Sequence, residues 1–224
     1  MNTLDFNYYL ELQNRLIDIS NYVTISADNL NTYSIKIENL IVDSGAFFDS
    51  LIQSYIFFLI QEEVLEVENE PRLSKFYEDR NAQSLNMNDY KQHVLIPRSF
   101  RDKEVNLNIN VDAPYNIHGG NYFEDRPDDF IVKPFENLES NSDSILWWKS
   151  YTKLKHDRIL HHSKATLKIL IDALTSVFIL LTYKYENEFR KGAIDKDIFK
   201  VFFPLHMTPN GSRIKGIPMF KHPS

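Results

Sequence analysis

The chain has 224 residues, enough for one domain with a sizeable core, and 43% of them are hydrophobic, including 16 Phe and 12 Tyr. It contains no cysteine, which excludes a disulfide scaffold, a cysteine-based metal site and thiol catalysis, and its 6 glycines disfavour a turn-rich all-β fold. The net charge of −6 is uneven, because residues 147–224 carry 14 Lys and Arg against only 6 Asp and Glu.

Helical periodicity predicts two helices in the first third of the chain. A helix over residues 4–20 follows from apolar side chains at helical spacing, namely Leu4, Tyr8, Leu12, Leu16 and Ile19. A second helix of about 30 residues is predicted over 29–60, with Asp28 or Asn29 as its N-cap. It leads into the acidic run 61–70, and because acidic residues oppose the dipole at a helix C-terminus, we expect its last turns to fray.

The middle of the chain has strand periodicity. Val105, Leu107, Ile109 and Val111 alternate with asparagines, a pattern typical of a strand with one polar face. Segments 93–96 and 130–132 are candidates to pair with this strand. The Gly119-Gly120 pair lacks the spacing of a phosphate-binding loop. We therefore predict a β-containing insertion at about 91–135.

Helical patterns return after this insertion. Ser144 is the predicted cap of a helix that carries Trp147 and Trp148 and ends near His156. A following helix over 163–190, capped by Asp157 or Ser163, is apolar nearly all round, which is typical of a helix covered on several sides. Residues 192–224 are predicted to form an extended C-terminal tail over the bundle.

The densest polar chemistry lies in the segment WWKSYTKLKHDR, residues 147–158, which is followed by two adjacent histidines. Helical spacing places Tyr151, Lys155, Arg158 and His162 along one side, and His156 lies one turn after a threonine. Two interpretations are open. The cations either complement a helix C-terminus in solvent or form a site for phosphate.

This segment, together with the helix that begins ATLKILIDAL, resembles the HEPN superfamily of helical-bundle proteins. In that family's motif an Arg is followed by a polar residue, and a His stands five positions after the Arg. Here His156 takes the His position and Thr152 the polar position, whereas Tyr151 stands where the Arg belongs. The resemblance covers about 28–60 and 144–185. It implies a mainly α, HEPN-like bundle that spans residues 1–224 as a single domain and forms a homodimer.

The resemblance also implies a metal-independent endoribonuclease of a phage-defence or toxin–antitoxin type. Histidine suits proton transfer near neutral pH, and Arg suits the charge on phosphate, so we predict His156 and Arg158 as catalytic residues. Arg158 is our own addition to the family's motif. RNA-binding roles are predicted for five further residues, namely Tyr151, Thr152, Lys155, His161 and His162.

The alternative is a non-catalytic HEPN-like module that binds RNA, a nucleotide or a protein partner such as an antitoxin. We expect neither a cofactor nor a metal. A zinc hydrolase would have to use His156, His161 and His162 with Asp157, but the HExxH spacing is missing and adjacent histidines on a helix point about 100° apart.

The start of the chain lacks a basic segment followed by an apolar one, and no run of 18 uncharged apolar residues occurs. We therefore expect a cytoplasmic protein without a signal peptide or a membrane span.

Overall fold

The computed structural model describes residues 4–81, 84–107, 131–138, 145–194 and 196–204. Within these ranges the chain is mainly α-helical, as predicted. The longer helices are α1 (Leu4–Ser20), α2 (Ile35–Gln61), α3 (Pro71–Glu78), α5 (Leu146–His156) and α7 (Leu167–Lys184). Short helices are α4 (Met87–Tyr90), which continues into a π-helical turn at Lys91–Leu95, α6 (Arg158–His161) and α8 (Glu186–Arg190).

Helices α2 and α7 form the centre of the bundle and run parallel to each other. At one end, Leu167 N at the start of α7 donates to Thr32 O, shortly before α2 begins, at 2.8 Å. At the other end, Lys184 Nζ donates to Ser54 Oγ at 2.7 Å. Helix α7 is buried almost all round, which confirms the prediction from its apolar sequence.

Helices α1 and α5 pack antiparallel to this pair. Asp5, near the start of α1, pairs with Lys184 at the end of α7, at 2.6 Å. Trp147, at the start of α5, lies edge-on to Phe48 of α2 with ring centroids 5.0 Å apart. All four helices contribute to one hydrophobic core.

Three short strands form an antiparallel sheet in the order β2-β1-β3. Strand β1 (Val105–Leu107) pairs with β2 (Ile131–Val132) and with β3 (Phe202–Pro204). The predicted pairing of β1 with residues 130–132 is thus confirmed for Ile131 and Val132, and one piece of the predicted tail is extended. Positions 109, 111, 119 and 120 lie outside the described residues.

Some local predictions are wrong. Residues 93–96 do not pair with β1, because Lys91–Leu95 is a π-helical turn whose Val94 and Leu95 are buried. The N-cap of α2 is Ser34, whose hydroxyl accepts from Ile37 N at 3.2 Å.

The other predicted N-caps also differ from the observed ones. Asp28 and Asn29 lie in a separate 3₁₀ turn, Ala27–Asn29, rather than at the start of α2. Thr166, and not Ser163, caps α7. Asp157 instead caps the short helix α6.

Candidate nucleic-acid interface

Helix α5 presents the predicted site because its other face is anchored in the core. Trp147 and Leu154 are fully buried, and Tyr151 is only 3% exposed. The ring of Tyr151 lies directly on Gly45 of α2, where an added Cβ would come within 2.3 Å of the ring. Gly45 therefore lets the two helices approach closely, and the polar side of α5 turns outward.

Tyr151 is first of all a packing residue. Burial raises the pKa of its phenol, and the charge of Lys155, whose Nζ lies 5.8 Å from the ring centroid, offsets part of that rise. Thr152 is half-buried and donates its hydroxyl to Trp148 O at 3.0 Å. A phenol has no permanent positive charge, unlike the guanidinium at this position of the motif that the segment resembles.

An open cleft of about 500 Å³ lies beside this face of α5. Four predicted residues, Tyr151, Thr152, Lys155 and His156, line it together with Trp148 and with Asp49 of α2. Asp49 accepts a hydrogen bond from the Tyr90 hydroxyl at 2.5 Å, and burial together with this carboxylate raises the pKa of Tyr90 well above its ordinary value. His156 is exposed and has no recorded hydrogen-bond or ion-pair partner in the part of the chain that the structure describes.

Two other predicted residues, Arg158 and His162, converge on the start of α2 instead. His162 Nδ1 lies 2.5 Å from Glu38 Oε2, and Arg158 Nε lies 3.9 Å from Glu38 Oε1. Arg158 Nη1 also donates to Asn39 Oδ1 at 2.7 Å. Glu38 is only 5% exposed, and its carboxylate oxygens lie against these two side chains. The structure thus brings Arg158 together with His162 rather than with His156.

Two lysines that the sequence did not single out lie against each other. The nearby Lys164 lowers the pKa of Lys153. Neither ammonium group has an acidic partner among the described residues. Two neighbouring ammonium groups repel each other, and an anion bound between them would remove the repulsion.

The starts of α2 and α7 lie at this same end of the bundle. Tyr33 and Thr166, the residues just before the two helices, form a β-bridge. The ring of Tyr33 also contacts His162 edge-on, with centroids 5.2 Å apart. Because both helix dipoles point their positive ends here, they add to the potential of the nearby lysines and histidines.

Glu38, Asn39, Lys153 and Lys164 are the residues that sequence reasoning missed. A glutamate beside Ile37, Leu40 and Ile41 on the buried stripe of α2 is a signal that some cation must partner it. The sequence has no comparable signal for Lys153 and Lys164, which lie on either side of the helix break at Asp157. His161 is half-buried and has no recorded partner in the described ranges.

Within the described ranges, no helix is long and apolar enough to cross a membrane, and no group of three or more His, Asp or Glu side chains is arranged to hold a metal ion. Comparison with protein-family models, with curated proteins and with solved structures finds no match for this chain.

Proposed function

We propose that this chain is an HEPN-like protein that binds RNA through the basic end of its bundle. The basic end comprises Lys153, Lys155, His156, His161 and Lys164. The observation that carries the proposal is the exposure of Lys155, His156 and Lys164 at this end, where none of them has an acidic partner in the described structure. The choice of RNA among polyanions comes from the HEPN resemblance.

The physical basis is the attraction of phosphate to unpaired cations. Ion-paired lysines would have to give up an acidic partner before they bind phosphate, whereas the lysines of the basic end have no such partner among the described residues. The cleft beside them, with Trp148 in its lining, offers an aromatic surface to an unpaired base.

The test is a binding titration of a fluorescent single-stranded RNA. Lys153→Gln/Lys164→Gln should weaken affinity at least about tenfold, since the loss of two phosphate contacts removes more than about 1.4 kcal/mol. Two matched single variants change exposed lysines elsewhere, Lys75→Gln on α3 and Lys191→Gln just after α8, and their double variant removes the same net charge. Equal affinity of the two double variants would contradict the proposal.

A second candidate function is metal-independent RNA cleavage, and the pairing of His162 with Glu38 favours it. A carboxylate that holds one imidazole nitrogen leaves the other to accept or donate a proton, and Arg158 stands beside the pair to stabilise phosphate charge. His156 and Arg158 remain the catalytic residues proposed from the sequence. A role in phage defence or as a toxin, with an antitoxin as partner, would accompany cleavage.

Incubation with total RNA in EDTA tests this second candidate. If the chain cleaves RNA, products should form with and without EDTA. His156→Ala and His162→Ala, compared in parallel, identify the histidine that transfers the proton. Arg158→Ala should slow cleavage by a factor of about 100 or more. No products in any lane, with RNA binding intact, would leave the non-catalytic module as the function.

A further inference from the structure

Within the described residues, an apolar patch at the basic end is left uncovered. Ile159 is 96% exposed, Leu160 70%, Ile35 69% and Tyr33 52%. Contacts between neighbouring residues hold these side chains at one place, because Arg158 donates to Asn39, one turn after Ile35, and His162 contacts Tyr33. Aliphatic side chains make no favourable interaction with phosphate, so binding of the RNA backbone does not explain why this patch is exposed. Contiguous exposed apolar surface of this kind marks a site of protein contact.

An acidic segment lies at the far end of α2. Residues 62–70 contain five glutamates and no Lys or Arg. Four of these glutamates are exposed and have no recorded ion pair in the described ranges, namely Glu62, Glu63, Glu66 and Glu68. Val64, in the middle of the segment, is 63% exposed. The segment therefore combines apolar surface with unpaired negative charge, as the basic end combines apolar surface with unpaired positive charge.

These two surfaces cannot meet within one molecule. Helix α2 separates them with 27 residues, a length of about 40 Å at 1.5 Å per residue. The HEPN resemblance implies a homodimer, but a two-fold one through the apolar patches would bring the basic end of one copy against the basic end of the other, and like charges across an interface are unfavourable. A head-to-tail contact instead places opposite charges together and covers the exposed aliphatic residues at both surfaces.

We propose that the apolar patch and the surrounding basic end form a docking site for the acidic segment of a second copy of this chain. Such a contact is heterologous, since each copy offers its basic end to one neighbour and its acidic segment to another. It therefore propagates into chains or closes into a ring. RNA would compete with the acidic segment for the same lysines, a consequence that rests on the proposed function, whereas the self-association itself does not.

Sedimentation velocity of the full chain at low salt and without RNA tests the proposal. We expect the weight-average mass to exceed that of a dimer as the concentration rises and to return toward the monomer as salt screens the charges. Glu66→Lys/Glu68→Lys blocks the acidic segment and should abolish assembly. Ile159→Asp blocks the patch and should do the same, and Lys153→Glu/Lys164→Glu is a second variant of that surface. A control, Glu11→Lys/Glu78→Lys, changes exposed glutamates elsewhere and should assemble like the original chain.

The decisive sample mixes the acidic-segment variant with Ile159→Asp. Each copy then retains one intact surface, so the mixture should form a complex of twice the monomer mass and nothing larger. Formation of that complex also shows that both variants are folded. A chain that stays monomeric at tens of micromolar in low salt would overturn the proposal. A dimer that persists in Glu66→Lys/Glu68→Lys would overturn it as well, in favour of two-fold pairing.

Discussion

At the scale of single residues, Asp172 is a carboxylate placed where charge is costly. It lies in the central helix α7, is 8% exposed and accepts from Lys168 Nζ at 3.1 Å. Burial raises the pKa of its carboxyl, Lys168 offsets part of the rise, and Glu136 adds to it. The folded state therefore holds the proton of Asp172 more tightly than the unfolded state does.

The sign of the pH dependence follows from this shift. The contribution of Asp172 to the free energy of unfolding is greatest at pH values below its unfolded pKa, about 3.9. This contribution is lost as the pH rises through the higher pKa of the folded state. Asp172→Asn should therefore raise the free energy of unfolding at neutral pH and leave it less dependent on pH in the acidic range. Urea unfolding of both proteins across that range measures the effect. A lower stability of the variant at neutral pH would mean that the ion pair with Lys168 outweighs burial.

At the scale of secondary-structure elements, the crossing of α2 and α5 depends on Gly45. A Cβ at this position would lie 2.3, 2.4 and 2.8 Å from three ring carbons of Tyr151. Trp148 also contacts that ring, with centroids 5.0 Å apart. The two helices can separate, but Tyr151 cannot turn aside while both stay in place.

Gly45→Ala should consequently destabilise the protein. Overpacking costs about 1–3 kcal/mol, against a gain of about 1 kcal/mol in helix propensity from the added methyl group. Ser50→Ala, at an exposed position of the same helix, is the matched control for propensity and should be neutral or slightly stabilising. In urea unfolding, Gly45→Ala/Tyr151→Ala should lose less stability than the sum of its single variants. A Gly45→Ala variant as stable as the control would show that α5 shifts freely.

Sequence patterns predict the elements well where many residues repeat the same signal. The bounds of α1 and the burial of α7 follow from apolar side chains at helical spacing. The N-caps were wrong because a cap depends on one hydroxyl at the turn into the helix, and several polar residues near α2 satisfy the same local rule. The partners of Arg158 could not be predicted for a different reason. Local patterns do not relate residues as far apart as Arg158 and Asn39, which are separated by 119 positions along the chain.

At the scale of the whole molecule, a negative net charge coexists with a local surface suited to an anion. Charge separation of this kind matters because interactions between exposed charges are screened within about 10 Å at moderate salt. An RNA strand at the basic end would therefore experience the nearby lysines far more than the glutamates at 62–70. The average of −6 describes neither surface.

The salt dependence of RNA binding measures this local charge. For a single strand, log K should fall linearly with log salt, with a slope of about −0.7 for each phosphate neutralised. Lys153→Gln/Lys164→Gln should reduce the magnitude of that slope by about 1.4, because two phosphate contacts are lost. Anisotropy titrations across a range of potassium chloride provide the slopes. An unchanged slope would mean that these lysines do not contact phosphate.

The parallel arrangement of α2 and α7 also has a kinetic consequence. Parallel neighbours need a long connection, and the structure joins the starts of these helices through Tyr33 and Thr166, more than 100 residues apart. During synthesis, α2 leaves the ribosome well before the helix that covers its apolar side. Loop closure of this length slows folding and prolongs the exposure of that side. The chain is therefore expected to refold slowly for a helical protein and to need protection from aggregation until α7 has been made.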